Sequence, residues 1–234
     1  MRIAHYLASC GIASRRVSEL IVLENRVQVN NTIINNLSYK INEKDIVLLD
    51  NKIISLNCPR LWLYYKPSGL IVSHKDELYR KTIFDELKAK LKINHIISVG
   101  RLDLNSEGLM LITNSGLIAN HFENPKNQYK RVYHVRSYGF FNIKKMQTIL
   151  LQGIEIDNIQ YGPIEIKQLN NQIQTNNWFE VILYEGKNRE IRKVFQYFNL
   201  EVNRLIRVQY GKYYLNNMQK GDIIKINNFN IKDL

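Results

Sequence analysis

This chain has almost no cysteine, no long apolar run and a deficit of acid. Cys10 and Cys58 are its two cysteines. Two thiols at that separation form neither a metal-ligand spacing nor a disulfide framework, and they fit a reducing compartment. The five histidines (5, 74, 95, 121 and 134) are scattered, with no two at ligand spacing, so no resident metal is expected. No apolar stretch approaches the roughly 18 residues that a bilayer span needs. Leu7-Ala8-Ser9-Cys10 has the look of a lipoprotein cleavage box, but the apolar segment before it is too short for a signal peptide and carries His5. A cytoplasmic protein without membrane attachment is the expectation. Acidic residues number 21 against 33 basic ones, a net charge of +12. Solubility alone asks for less. An anionic partner is the economical explanation, nucleic acid ahead of a membrane surface.

What the chain does have is enough apolar material for a core, 45% of 234 residues, and a pattern that divides near residue 60. Residues 1–60 read as two short helices followed by hairpins. Ile3 and Leu7 have helical spacing, and Gly11 stops that helix. Ser14 is placed to cap a second helix, in which Val17, Leu20 and Ile21 form the expected apolar stripe. Val27-Gln28-Val29 alternates as a strand, Asn30-Asn31 turns, and Thr32-Ile33-Ile34 returns. A second hairpin is expected over 45–54, split by Asp50-Asn51. Arg15 and Arg16 stand in the first turn of the second helix, where the macrodipole disfavours cations. That placement fits either a solvated helix end or a pair of phosphate-gripping guanidiniums.

After a linker at Asn57-Cys58-Pro59-Arg60, the remaining chain mixes strands and helices out of βαβ order. This predicts an α+β fold with a mixed, mainly antiparallel sheet. Strands are expected at 61–65, 130–137 and 178–184. A helix is expected at 82–92, opened by Thr82 and Asp85 as a capping box. The basic excess is shared: +3 for residues 1–60 and +9 for 61–234.

Three stretches can carry chemistry. In the first, Gly100-Arg101-Leu102-Asp103, one carboxylate lies between two apolar runs, with Arg101 two residues away and so on the same face if the stretch is extended. A turn-capping aspartate is the bland alternative. A presented carboxylate beside a cation can serve as nucleophile or base. In the second, 185–198, Asn188 is placed to cap a helix whose Ile191, Val194, Phe195 and Phe198 form an apolar stripe. Arg189, Arg192, Lys193 and Gln196 form its basic one. Residues 187–212 hold seven basic residues against two acidic, a candidate phosphate track that includes Lys187, Arg204 and Arg207. In the third, Tyr133 stands among Lys130, Arg131, His134 and Arg136. A core tyrosine is the bland reading, and stacking on a nucleobase is the functional one.

The N-terminal stretch resembles the S4 RNA-binding domain. The matching residues are Arg2-Ile3-Ala4, Leu7-Ala8 and Gly11-Ile12-Ala13-Ser14-Arg15-Arg16, then Arg26-Val27-Gln28-Val29-Asn30-Asn31. Asn25 and Asn31 stand where that family usually has glycine. Taken with Gly100-Arg101-Leu102-Asp103 and Gly108-Leu109-Met110-Leu111-Ile112-Thr113-Asn114-Ser115-Gly116, with Glu185-Gly186-Lys187-Asn188-Arg189-Glu190-Ile191-Arg192-Lys193 and with Arg204-Leu205-Ile206-Arg207-Val208-Gln209-Tyr210-Gly211, nearly the whole chain resembles the pseudouridine synthases of the RsuA/RluB type.

That resemblance implies an S4 domain over 1–60 and a catalytic domain over 61–234. It implies isomerisation of uridine in ribosomal RNA to its C-glycoside, with no cofactor and no metal, by a cytoplasmic monomer. Asp103 would be the catalytic aspartate, acting on the ribose or its 2′ proton. Tyr133 would stack on the flipped uracil, Arg192 would pair with Asp103, and Arg101 would help fill the vacated stack. Arg15, Arg16, Arg26, Lys187, Arg189, Lys193, Arg204 and Arg207 would contact RNA. Extruding a base from a stack costs a few kcal/mol, which a stacking ring and a planar cation offset in part. Ser106 and Ser115 depart from the family's usual Thr and Asp. The branch acting on the large subunit fits best. The small-subunit branch is the near alternative, and a non-catalytic S4-type assembly factor is the more distant one.

Overall fold

The computed structural model describes residues 1–74, 76–93, 95–170, 175–227 and 229. The chain begins with helices α1 (Ile3–Ser9) and α2 (Arg15–Leu23), then strands β1 (Val27–Val29), β2 (Thr32–Ile33), β3 (Val47–Leu49) and β4 (Lys52–Ile54). The four strands form one antiparallel sheet in the order β2-β1-β3-β4. Both two-residue hairpins need positive φ at each central residue. Asn30 and Asn31 adopt 48° and 67°, and Asp50 and Asn51 adopt 47° and 64°. Asn25, at 58°, makes the turn from α2 into β1 in place of a glycine. Asn and Asp are the residues that reach this region at least cost.

Ser14 caps α2 by accepting from the Val17 N–H at 3.4 Å. The stripe expected on that helix is set differently. Val17 and Leu20 are 47% and 58% exposed, while Ser18, Ile21 and Val22 are buried. A nine-residue helix offers two nearly equivalent apolar arcs. The arc that faces α1 and the sheet is fixed by the core of Ile3, Leu7, Val27, Val29 and Val47, which lies outside the helix's own sequence.

The remainder contributes β5 (Leu61–Lys66), α3 (Ile83–Leu91), β6 (Ile97–Val99), β7 (Glu107–Thr113), α4 (Gly116–Glu123), β8 (Arg131–Tyr138) and α5 (Ile143–Leu151). Then come β9 (Ile154–Ile156), β10 (Ile159–Tyr161), β11 (Glu165–Gln168), β12 (Asn176–Leu183), α6 (Glu190–Tyr197), β13 (Glu201–Tyr210), β14 (Tyr213–Tyr214) and β15 (Ile223–Lys225). Nine of these strands make one sheet along β11-β12-β8-β13-β7-β5-β15, with β6 added to β7 and β14 to β13. Its pairings are antiparallel except β13 with β7, so the fold is α+β as expected. One face packs against α3, α5 and α6 through Tyr64, Met110, Val135, Phe179 and Phe195. The other packs against α4 through Leu63, Leu109, Leu111, Phe122 and Tyr210. Thr82 and Asp85 form the capping box of α3, each binding the other's backbone N–H.

The parallel pair sits at the middle of the sheet, and Gly108 is why the strands can meet there. Gly108 has φ +113°, and a Cβ on it would stand 2.3 Å from the Arg207 carbonyl oxygen. Only glycine fits so close a backbone approach. This contact places the start of β7, and the loop just before it, beside β13.

Candidate active site

A cavity of about 270 Å³ opens where the loop 100–106, β8, the segment 185–189, α6 and β13 converge. It lies just below the usual range of ligand pockets, about 300–1,000 Å³. Asp103 lies on its wall. The chain leaves β6 at Gly100, with φ +67°, and the Gly100 N–H donates to Glu123 Oε1 at 2.7 Å. The Ser106 N–H then closes a turn on the Asp103 carbonyl at 3.0 Å. Residues 101–106 are therefore loop and not strand. The expected alternation that put Arg101 and Asp103 on one strand face does not hold, because the left-handed Gly100 ends the pleat. Arg101 is an exposed residue of the cavity rim.

The Asp103 carboxylate faces two guanidiniums, both through Oδ2. Arg192 Nε lies at 3.7 Å and Arg189 Nη1 at 3.8 Å. The pairing of Arg192 with Asp103 is thus present in the geometry. Arg192 is also anchored away from the aspartate. It donates to the carbonyls of Val202 at 2.9 Å and Asn105 at 3.3 Å. Burial lowers its pKa, and Asp103 works in the opposite direction.

Tyr133 is 7% exposed, in β8, and contributes to the same wall. Two further arginines line the cavity from below. Arg131 donates to Tyr210 Oη at 2.9 Å, and Tyr210 Oη in turn donates to the Phe122 carbonyl at 2.9 Å. Arg207 donates from Nε to the Leu109 carbonyl at 2.7 Å. Both guanidiniums sit over the Tyr210 ring, at 4.9 and 5.0 Å from its centroid. Arg207 was expected on a phosphate track. It is 3% exposed, and the close packing of β13 on Gly108 turns it into a structural wall residue.

The other expected RNA contacts divide. Lys187 and Arg189 line the cavity, and Lys187 pairs with Glu185. Lys193 is half-buried on α6. Arg204 pairs with the buried Glu107 and lies over the Trp178 ring, so its charge is answered inside the chain. Arg26 is likewise answered, by Asp50 at 2.6 Å and Glu24 at 3.2 Å. Arg16 is exposed, and Arg15 pairs only loosely with Glu19 at 3.8 Å. Asn188 does not cap α6. The N-cap is Arg189, at φ +51° without a side-chain cap. The Glu190 carboxylate instead reaches back to the Lys187 N–H at 2.8 Å.

Lys66, which closes β5, is a hub. Its side chain is fully buried. Its Nζ donates to the carbonyls of Ser106 at 2.8 Å, Pro67 at 3.0 Å, Asp103 at 3.1 Å and Leu104 at 3.4 Å. Burial lowers its pKa to about 8, against the pull of Asp103 and Glu107. The one sequence signal was a lone charge closing an otherwise apolar strand, Leu61-Trp62-Leu63-Tyr64-Tyr65. Among the described residues no group of three His, Cys, Asp or Glu could hold a metal ion, and no helix is long and apolar enough to cross a membrane.

Comparison with known proteins shows the family. The RNA pseudouridylate synthase family matches residues 60–197, and the S4 domain matches residues 1–47. An uncharacterized RNA pseudouridine synthase of Rickettsia felis is 47% identical over 228 residues, covering 97% of each chain. The ribosomal large subunit pseudouridine synthase B of Buchnera aphidicola subsp. Schizaphis graminum is 37% identical over 100% of this chain and 93% of its own. A crystal structure of a pseudouridylate synthase superposes with a TM-score of 0.68 over 97% of this chain and 96% of that one, at 19% identity, a likeness of fold. The chain belongs to the RNA pseudouridylate synthase family, as an S4-domain-bearing member and an isomerase.

Proposed function

We propose that this enzyme converts uridine to pseudouridine in large-subunit ribosomal RNA, with residues 1–60 as an RNA-gripping S4 domain and 61–234 as the catalytic domain. The observation that carries the reading is the Asp103 carboxylate, one-third exposed and 3.7 Å from the anchored Arg192, on the wall of a cavity that also holds Tyr133. The relatives named for the large subunit, including the Buchnera enzyme, support that target over the small subunit.

In this reading a uridine is flipped out of its stack into the cavity and its base lies against Tyr133. Both ion pairs of Asp103 fall on Oδ2, which leaves Oδ1 for the sugar, by attack on the ribose or by taking its 2′ proton. The N1–C1′ bond breaks, the uracil turns, and C5 bonds to C1′. C5 then gives up its proton, and N1 carries one. Arg192 and Arg189 offset the charge on the aspartate throughout. Arg101, exposed at the rim, fills the gap in the RNA stack. Arg15, Arg16, Lys187, Arg189 and Lys193 meet phosphates. The enzyme acts as a monomer in the cytoplasm and uses no cofactor.

The test is pseudouridine mapping across both ribosomal RNAs in cells lacking the gene, complemented with wild type or Asp103→Ala. A large-subunit site should vanish without the gene, return with wild type and stay absent with the variant. Changes confined to the small subunit would move the target. Restoration by Asp103→Ala would overturn the catalytic assignment and favour a non-catalytic assembly role.

A further inference from the structure

The segment that carries Lys187 and Arg189 into the cavity is held by two carboxyl groups that no role described so far uses. Glu190 is 4% exposed. One of its oxygens accepts the Lys187 N–H at 2.8 Å, while the other, Oε1, is buried with no donor among the described residues. Glu185 faces it. Glu185 accepts the Gly162 N–H at 2.7 Å through Oε1 and pairs with Lys187 Nζ through Oε2. Both meet Lys187, Glu190 at its backbone N–H and Glu185 at its Nζ, and each bears on the other's titration. Two carboxylates offer only acceptors to one another. A buried carboxylate oxygen without a donor costs the full desolvation of a charged group. A proton between the two removes both penalties.

We infer that Glu185 and Glu190 share one proton, and that in this state they position the segment 185–189 so that Lys187 and Arg189 face the substrate. They are positioning residues, since they act through the two cations and not on the uridine. The inference rests on the reading of the cavity as the uridine site. The groups around the pair fit a single shared proton. Lys187 supplies one positive charge, with its Nζ 5.7 Å from the centroid of the Tyr161 ring. Gly186 lies flat against Arg131, whose Nη1 is 3.6 Å from where a Cβ on Gly186 would stand. Arg189 points at Asp103. That leaves Glu190 without a cation of its own. Burial first, and then the neighbouring Glu185 charge, push its pKa up to about 7, against the Lys187 N–H. Burial also pushes Glu185 up, but Lys187 and the Gly162 N–H outweigh it and leave it low.

The direction of the pH effect follows. Below about pH 7 Glu190 carries the proton and the segment is held. Above it two like charges share a buried site, and the segment relaxes away from Asp103. Glu190→Gln imitates the protonated state permanently. Its carbonyl can accept from Lys187 and its amide can donate to Glu185.

The experiment measures pseudouridine formation at pH 5.5 to 9. The enzymes are wild type, Glu190→Gln and Glu185→Gln, and the substrate is ribosomal RNA from cells lacking the gene. The rate ratio of wild type to Glu190→Gln cancels titrations common to both, including that of Lys66. It should fall by roughly threefold or more as pH passes 7, the size expected from a small displacement of positioned charges. Glu185→Gln, which removes the like charge, should move the step to lower pH.

The second readout is Tm against pH. Glu190 has a folded pKa above its unfolded value, so wild type should lose stability relative to Glu190→Gln as pH rises from about 4.5 through about 7, and change no further beyond that. The gap between their Tm values should widen by at least about 2 °C. A Tm gap that does not vary with pH overturns the shared proton. A varying Tm gap with a flat rate ratio keeps the proton and overturns the positioning role. If no pseudouridine forms with any of the enzymes at any pH, the functional reading falls, and the Tm series still decides the carboxyl pair.

Discussion

The S4 region and the catalytic region are both basic, but they use their cations in opposite ways. Arg15 and Arg16 ride on an exposed helix with loose pairing. Lys66, Arg131, Arg192 and Arg207 are mostly or wholly buried and bound to backbone carbonyls or to Tyr210. An exposed cation attracts phosphate over a distance, is screened by salt and acts nearly independently of its neighbours. A buried cation has already given up its hydration and repays it only in one geometry. The first kind supplies affinity, and the second supplies a shape. Two regions of like charge should therefore fail in different ways.

The sharpest break in that contrast is Asp103→Asn. Pseudouridine formation should fall by a factor on the order of 10⁴ or more, while RNA affinity stays within about threefold. Single-turnover assays beside filter binding separate the two. Next comes Lys66→Met, which removes the charged donor shared by four carbonyls, of which those of Asp103 and Leu104 keep backbone donors. The rate should drop about 10²-fold and stability by about 2–4 kcal/mol, with RNA affinity little changed. Urea unfolding and the rate assay read these out. A Lys66→Met enzyme that turns over normally would mean that the loop holds itself.

The exposed set should show the reverse pattern. Arg15→Ala with Arg16→Ala should lower RNA affinity about tenfold near physiological salt and reduce the log–log salt slope by about two. The rate at saturating RNA should not change. A lowered saturating rate would place the S4 helix in the chemistry and collapse the distinction. Arg26→Ala is the smallest effect expected, under about twofold in affinity, because Asp50 and Glu24 already answer its charge. Titration of the two variants side by side makes this the internal control.

Local signals in the sequence were sufficient for several caps and turns. The Thr82–Asp85 capping box and the Ser14 cap need only three or four residues, and both are present. The Asn-Asn and Asp-Asn turns follow from the left-handed tolerance of those side chains. The position of Asp103 between two apolar runs was visible in the sequence, where a turn-capping aspartate was the bland alternative, and its pairing with Arg192 came from the motif resemblance. Two misreadings, the shared strand face of Arg101 and Asp103 and the Asn188 cap, are local, and the others have long-range causes. Which arc of α2 is buried depends on strands that come later in the chain. Lys66 reaches carbonyls 37 to 40 residues away. Arg207 is buried because Gly108, 99 positions earlier, lets β7 press on β13. The burial of Glu190, whose carboxylate turns back onto the Lys187 N–H, has no local signal in the sequence.

One feature of the turns reaches beyond the folded state. Asn25, Asn30, Asn31, Asn51, Asn158, Asn199 and Asn216 all hold positive φ, in conformations where glycine is the residue of least strain. A glycine at each would be easier to fold around and harder to pin down, since it surrenders more freedom on folding. Asparagine narrows the disordered ensemble before folding begins, at the expense of slight strain afterwards. With 11 glycines in 234 residues, the chain draws part of its stability from how little the unfolded polymer can wander.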